Sequence, residues 1–127
     1  MKAMNLLLDT HAFIWWRVND PRIRRGTRQI VASADRVFVS LVSAWEAAIK
    51  VGLGRLRIPE PFKSGIEKSG FEPLPIAFSH VERVAELPHH HGDPFDRMLI
   101  AQAMVEGLTV VTGDRRFSSY GVQVVDA

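Results

Sequence analysis

Short apolar runs that stop on a polar residue alternate along this chain with stretches whose apolar residues recur every three or four positions. The runs suit strands buried on both faces of a parallel sheet, and the periodic stretches suit helices laid against it. Asn5-Leu6-Leu7-Leu8 is the first run and ends at Asp9-Thr10-His11. A helix is predicted through Ala12 to Arg17, Asn19-Asp20-Pro21 breaks it, and Pro21 in a first turn starts a second helix towards Ser33. Arg36 to Ser40, β-branched and aromatic, predicts another strand. Ser43-Ala44-Trp45-Glu46 then opens a helix that fades at Gly52 and Gly54.

Pro59 and Pro61 lead into a short amphipathic helix from Phe62 to Lys68, ended by Gly70. Phe71 to Ile76 contains Pro73 and Pro75, so it predicts only a short edge strand or an extended loop. Ser79 is the expected cap of a helix with Val81, Val84, Ala85 and Leu87 on one face, closed by Pro88. His89-His90-His91-Gly92 is expected to be a solvated loop. Asp93 as N-cap, Pro94 at N1 and Asp96 at N3 introduce an apolar helix that stops at Gly107. Leu108 to Val111 and Val122 to Val125 are the last strands, with Thr112-Gly113-Asp114 as the polar end of the former. The alternation predicts a single domain over residues 1–127, an α/β chain folded as a three-layer α/β/α sandwich with a mostly parallel twisted sheet.

Composition narrows the chemistry more than the fold. There is no cysteine, which removes thiol nucleophiles, disulfides and thiolate metal sites. Apolar residues make up 46% and charged residues 24%, values of a soluble folded domain. No apolar run is long enough to span a bilayer and no signal-peptide pattern opens the chain, so a cytoplasmic location is expected. The net charge of +2 does not mark a nucleic-acid binder by itself, but Arg22, Arg24, Arg25 and Arg28 cluster and Arg115-Arg116 form a second basic point.

In open parallel sheets, functional groups gather beyond the carboxyl ends of strands. Asp9 ends the first strand, Glu46 opens the helix after the second, Asp114 follows a later strand, and Asp96 sits in the first turn of the helix leading to it. Each has a plainer reading: Glu46 completes a Ser43-x-x-Glu46 capping box, Asp93 and Asp114 are caps, and the dipole favours Asp96. Asp9 has the weakest local excuse. Carboxylates gathered at one edge repel by several kcal/mol at low effective dielectric. No lysine lies within the four local motifs, so a hard divalent cation, magnesium or manganese, is the economical counter-charge. Such an ion supports hydrolysis of a phosphodiester. His11 is expected to pack rather than touch substrate, and Trp15, Trp16 and Trp45 to be core or interface residues.

Four motifs in order carry a resemblance: Leu6-Leu7-Leu8-Asp9-Thr10-His11; Ser40-x-x-Ser43-x-Trp45-Glu46; His91-x-Asp93-Pro94-Phe95-Asp96-Arg97 through Ala103; and Val111-Thr112-Gly113-Asp114-x-x-Phe117. Together they resemble the PIN-domain family over nearly the whole chain, and most of all its VapC-like toxin branch. The resemblance implies a magnesium- or manganese-dependent endoribonuclease with Asp9, Glu46, Asp96 and Asp114 as the acidic site. Asp9 and Asp96 are then the most direct metal ligands, with Thr112 and Asp93 in support. It also implies a homodimer neutralised by a VapB-like antitoxin. Arg22, Arg24, Arg25, Arg97 and Arg115 are the candidate RNA contacts. The opposing reading is a catalytically silent module that keeps the fold and binds RNA or protein. A haloacid-dehalogenase phosphatase would need a second Asp where His11 stands, and a receiver domain an acidic pair and a lysine that this pattern lacks.

Overall fold

A computed structural model describes residues 4–127. Five parallel strands form one sheet in the order β3-β2-β1-β4-β5. In chain order these are β1 (Asn5–Leu8), β2 (Arg36–Ser40), β3 (Glu72–Leu74), β4 (Thr109–Thr112) and β5 (Val124–Asp126). β1 is central and enclosed on both faces; Leu6 and Leu8 point into one core layer and Leu7 into the other. That explains its continuous apolar run. Pro73 is tolerated because β3 lies at the sheet edge.

The helices are α1 (Thr10–Arg17), α2 (Arg25–Ser33), α3 (Leu41–Gly52), α4 (Phe62–Lys68), α5 (Phe78–Glu86) and α6 (Pro94–Glu106), with a 3₁₀ turn over Arg115–Tyr120. Phe13, Val31 and Ile66, from α1, α2 and α4, fill one face of the sheet. Val42, Leu99, Ile100 and Ala103, from α3 and α6, fill the other, joined by Leu87 beyond α5 and Phe117 of the 3₁₀ turn. Helices therefore cover both faces, as the alternation predicts. The sheet is wholly parallel. Gly107 ends α6 in the left-handed conformation at φ 68°, where a side chain would be strained.

Several element boundaries differ from expectation, three of them at helix starts that bear on capping. α2 starts at Arg25 rather than Pro21, because the Asp20 carboxylate accepts from the Arg22 amide and holds the chain in a turn. α3 starts at Leu41, with Ser40 as N-cap accepting from the Val42 amide at 3.0 Å. Ser43 and Glu46 are thus both helix-interior, and the Ser43 capping box does not form. α5 is capped not by Ser79 but through His80, whose Nδ1 accepts from the Ala77 amide at 2.9 Å. His80 is buried there while Val81 and Ala85 face outwards, so the predicted apolar face is rotated.

The chain passes from β1 outwards through β2 to β3, then returns to place β4 on the other side of β1. The connections after β1 and before β4 run to opposite faces, so the loops beyond these two strands part. This is the topological switch point, where open α/β sheets leave a crevice for ligands.

Candidate active site

Asp9 and Asp114 flank that crevice, one beyond β1 and the other beyond β4. Asp9 is buried and caps α1, accepting from the Ala12 amide through Oδ1 at 2.8 Å. The helix begins at Thr10, earlier than predicted, so Asp9 has a stronger local structural duty, as N-cap, than its sequence setting implies. Its Oδ2 accepts from the Thr112 hydroxyl at 2.5 Å, and the same hydroxyl oxygen accepts from the Asp114 amide at 3.0 Å. Burial pushes the Asp9 carboxyl above its ordinary range.

Glu46, 4% exposed, projects from α3 towards α1. Thr10 donates to its Oε1 at 2.6 Å, with Ser43 Oγ 2.9 Å from the same hydroxyl, and Lys50 donates to Oε2 at 2.7 Å. The sequence reading of the local motifs found no lysine; Lys50 stands one turn beyond Glu46, and the i,i+4 spacing was its signal. Asp93 caps α6, accepting from the Phe95 amide at 2.8 Å. Asp96 follows in the first turn, and burial, reinforced by Asp93, Asp9, Glu46 and Asp114, raises its carboxyl to about 7. Asp114 behaves oppositely. Arg116 grips it through both Nε at 3.0 Å and a terminal nitrogen at 2.8 Å and holds it well below the usual carboxylate range.

The groups line an open cleft of about 840 Å³. Asp9, Glu46, Asp93, Asp96 and Asp114 line it together with the basic Arg22, Lys50, Arg115 and Arg116. All four acids singled out in the sequence are therefore in one site, along with Asp93 and, through its hydrogen bonds, Thr112. Among the described residues, ligand-capable atoms of His91, Asp96 and Asp114 lie within 4.8 Å of one another. An oxygen-rich donor set with two desolvated carboxylates fits a hard divalent cation, with Asp96 and Asp114 bringing oxygens together and Asp9 and Glu46 beside them.

Other expectations shift. His91 does not sit in a solvated loop: it is 4% exposed, and its Nε2 lies 2.9 Å from Asp114 Oδ2 and 3.0 Å from Asp96 Oδ2. Three adjacent histidines offered no periodicity by which to choose among them. His11 is exposed and lines the cleft instead of packing, 6.0 Å from the Trp15 ring. Trp15 also lines the cleft, beneath the Arg22 guanidinium at 4.8 Å, whereas Trp16 packs on Phe71 and Trp45 edge-on to Phe95.

Of the candidate RNA contacts, Arg22 and Arg115 reach the cleft. Arg24 pairs with Asp126 at 3.0 Å on the surface, and Arg25 is exposed at the start of α2. Arg97 lies outside the cleft lining. Its guanidinium donates to the Pro88, Leu87 and Val84 carbonyls at 2.8–3.4 Å and to the Tyr120 hydroxyl at 3.2 Å, which leaves it turned into the fold.

An all-parallel sheet with carboxylates massed at its switch point defines an acidic-site α/β domain, and residues 6–123 match the model of the PIN domain family, to which this chain belongs. It is similar to Ribonuclease VapC22 of Mycobacterium tuberculosis, with 30% identity over 122 residues and 91% of each chain covered. Solved structures share the fold at lower identity. The VapBC2 complex of Rickettsia felis, bound to a DNA fragment from its promoter, superposes with a TM-score of 0.73 at 16% identity, covering 97% of this chain and 98% of that one. DNA-bound VapBC of Salmonella typhimurium gives 0.71 at 24% identity, again with 97% and 98% covered.

Proposed function

We propose that this chain is a metal-dependent endoribonuclease and the toxin member of a toxin–antitoxin pair. The convergence of Asp9, Glu46, Asp96 and Asp114 on one cleft that Arg22, Lys50, Arg115 and Arg116 also line carries the reading. A pure binding cleft for RNA would gain nothing from massed carboxylates facing a polyanion. Membership of the PIN family and the likeness to a ribonuclease support it further.

Asp96 and Asp114, with Asp9 and Glu46 adjoining, are the groups to hold Mg²⁺ or Mn²⁺. When bound, that ion supplies a Lewis acid to the scissile phosphodiester and lowers the pKa of attacking water. The chain's own residues do the rest. Thr112 fixes the Asp9 carboxylate in one rotamer, and Thr10 and Lys50 fix Glu46. Arg22, Arg115 and Lys50 hold phosphates along the rim, while His11 and Trp15 offer aromatic faces to unstacked bases. Asp93 stays a helix cap next to the reaction.

The antitoxin in this reading is a VapB-like protein that occupies the acidic cleft, with an arginine suited to the carboxylates. A homodimer is part of the same proposal: Leu41, Trp45 and Ile49 form an exposed apolar strip on α3, with Trp45 59% exposed. The cytoplasm is the proposed location; among the described residues no helix is long and apolar enough to cross a membrane.

The deciding experiment is cleavage of a cellular RNA pool by purified chain with Mg²⁺, Mn²⁺ or EDTA, beside a folded Asp96→Asn variant. Metal-dependent cutting lost in the variant is the expected result. RNA binding without cutting by any metal form would move the chain to the silent binding module.

A further inference from the structure

Among the described residues, His91 is the buried polar group in the cleft that the nuclease reading leaves without a role. Its ring is fixed on every side. Nδ1 accepts from the Asp93 amide at 3.1 Å, the ring stands edge-on to Phe117 at 6.1 Å, and the backbone amides of His90 and His91 donate to the Tyr120 hydroxyl at 3.0 and 2.9 Å. Arg97 bonds the same hydroxyl and the carbonyls below the loop, so it holds the support that holds the histidine.

The Asp93 amide determines what the far nitrogen can do. An N–H pointing at Nδ1 requires a lone pair there, so the neutral ring carries its proton on Nε2. Nε2 is then a donor, and it faces Asp96 Oδ2 and Asp114 Oδ2 at 3.0 and 2.9 Å. A protonated ring nitrogen has no lone pair for a metal. The cluster of His91, Asp96 and Asp114 is thus two oxygen ligands and a donor between them. Asp96 comes from the first turn of α6 and Asp114 from the loop after β4; the Nε2 donor bonds to Asp114, with Asp96 Oδ2 3.0 Å from the same nitrogen.

We propose, on the nuclease reading, that His91 is a positioning residue that holds Asp114 beside Asp96, within reach of one cation, by donating Nε2–H to Asp114, and does not itself ligate the metal. Partners of metal ligands tune affinity about 10- to 100-fold in known sites. The same arrangement keeps the donor set purely oxygen, which favours Mg²⁺ and Mn²⁺ over zinc or nickel.

Two substitutions separate the bonds of the ring. His91→Asn can still accept the Asp93 amide near the Nδ1 position but is too short to reach the carboxylates. His91→Gln can place an amide donor near Nε2 but loses the acceptor for Asp93. The test is Mn²⁺ binding to the free protein by calorimetry, with thermal melts in EDTA, RNA cleavage kinetics, and imidazole ¹⁵N NMR of the wild type in EDTA.

The expected results are an Nε2–H tautomer for His91, Mn²⁺ affinity about tenfold or more weaker in His91→Asn with a near-native melt, and substantial recovery in His91→Gln. Cleavage should follow in kcat, with KM for RNA little changed. An Nδ1–H tautomer, wild-type Mn²⁺ affinity in folded His91→Asn, or directly bonded ¹⁴N coupling in the pulsed EPR spectrum of the Mn²⁺ form would each overturn the proposal. Wild type that binds Mn²⁺ but cuts no RNA would sink the nuclease reading while leaving the role of His91 standing; failure to bind Mn²⁺ would sink both.

Discussion

The hydroxyl of Thr112 and the carboxylate of Asp9, 103 residues apart, meet in a 2.5 Å hydrogen bond at the carboxyl ends of adjacent strands β4 and β1. The Thr112 oxygen also accepts the Asp114 amide, so one small side chain orients two acids from either side of the switch point. Thr112→Val keeps the shape and removes both bonds. Leaving buried polar groups unpaired costs about 1–3 kcal/mol. We expect a lower melting temperature of that order and a fall in kcat beyond what the melt explains; native kcat in the folded variant would show that Asp9 needs no such anchor.

With divalent ions chelated, Asp96 sets a pH dependence of stability. Its carboxyl lies at about 7 in the folded chain against an ordinary 3.8, so between those values the folded state retains a proton that the unfolded state has released. Its contribution is therefore full at low pH and fades as pH rises to about 7, and Asp9, also raised by burial, acts in the same direction. Urea titrations in EDTA should show wild type losing stability relative to Asp96→Asn as pH rises from about 4 to about 7. A difference that stays flat would contradict the crowding of the acids. Cation affinity should rise with pH over the same range, since the ion competes with that proton.

The basic residues divide into rim and scaffold. Arg22→Ala and Arg115→Ala should weaken RNA binding and each reduce the salt slope by about 1, with unchanged melts. Arg97→Ala should instead lose about 1 kcal/mol of stability, because the part-buried Val84 and Leu87 carbonyls and Tyr120 lose their donor. RNA affinity that falls in Arg97→Ala at a native melt would reverse that assignment.

Lys50→Met tests the counter-charge of Glu46. The ammonium is part-exposed, so the expected stability loss is below about 1 kcal/mol. The informative readout is Mn²⁺ affinity, which should increase when a competing cation leaves the Glu46 carboxylate; unchanged affinity would place Glu46 outside the ion's reach.

Trp45→Glu addresses self-association. Together with Leu41 and Ile49 it forms the exposed strip of α3, and a charge there should convert a dimer to a monomer in sedimentation runs. Persistence of the dimer would move the interface elsewhere, with Phe78, 83% exposed on α5, the next surface to substitute.

Much of this architecture was legible because its elements obey local rules. A leucine run stopping at Asp9, a Pro-Phe-Asp after an Asp cap and a valine run stopping at Thr112 each specify their own strand end or helix start. They could be placed without knowing their neighbours. What escaped was set by contacts distant in sequence. His91 is buried by Phe117 and Tyr120, and nothing in three consecutive histidines says which will face Asp96 and Asp114. The start of α3 was misread because Ser40 and Ser43 both have capping chemistry, and the strand's end favoured the earlier one. Arg97 was read as a phosphate contact because its sequence neighbours are catalytic candidates, although on α6 its side chain leaves the cleft for the α5 carbonyls.

The strand order has a consequence for synthesis. Residue 9 leaves the ribosome long before residues 96 and 114, and β1 gains its neighbour β4 only once Thr109–Thr112 has been made. A nascent chain holds Asp9 and Glu46 without their counterparts, so it possesses half an acidic site and an unpaired central strand. On the nuclease reading, cutting is therefore silent while the chain grows and begins only once the segment carrying Asp96 and Asp114 has closed against β1.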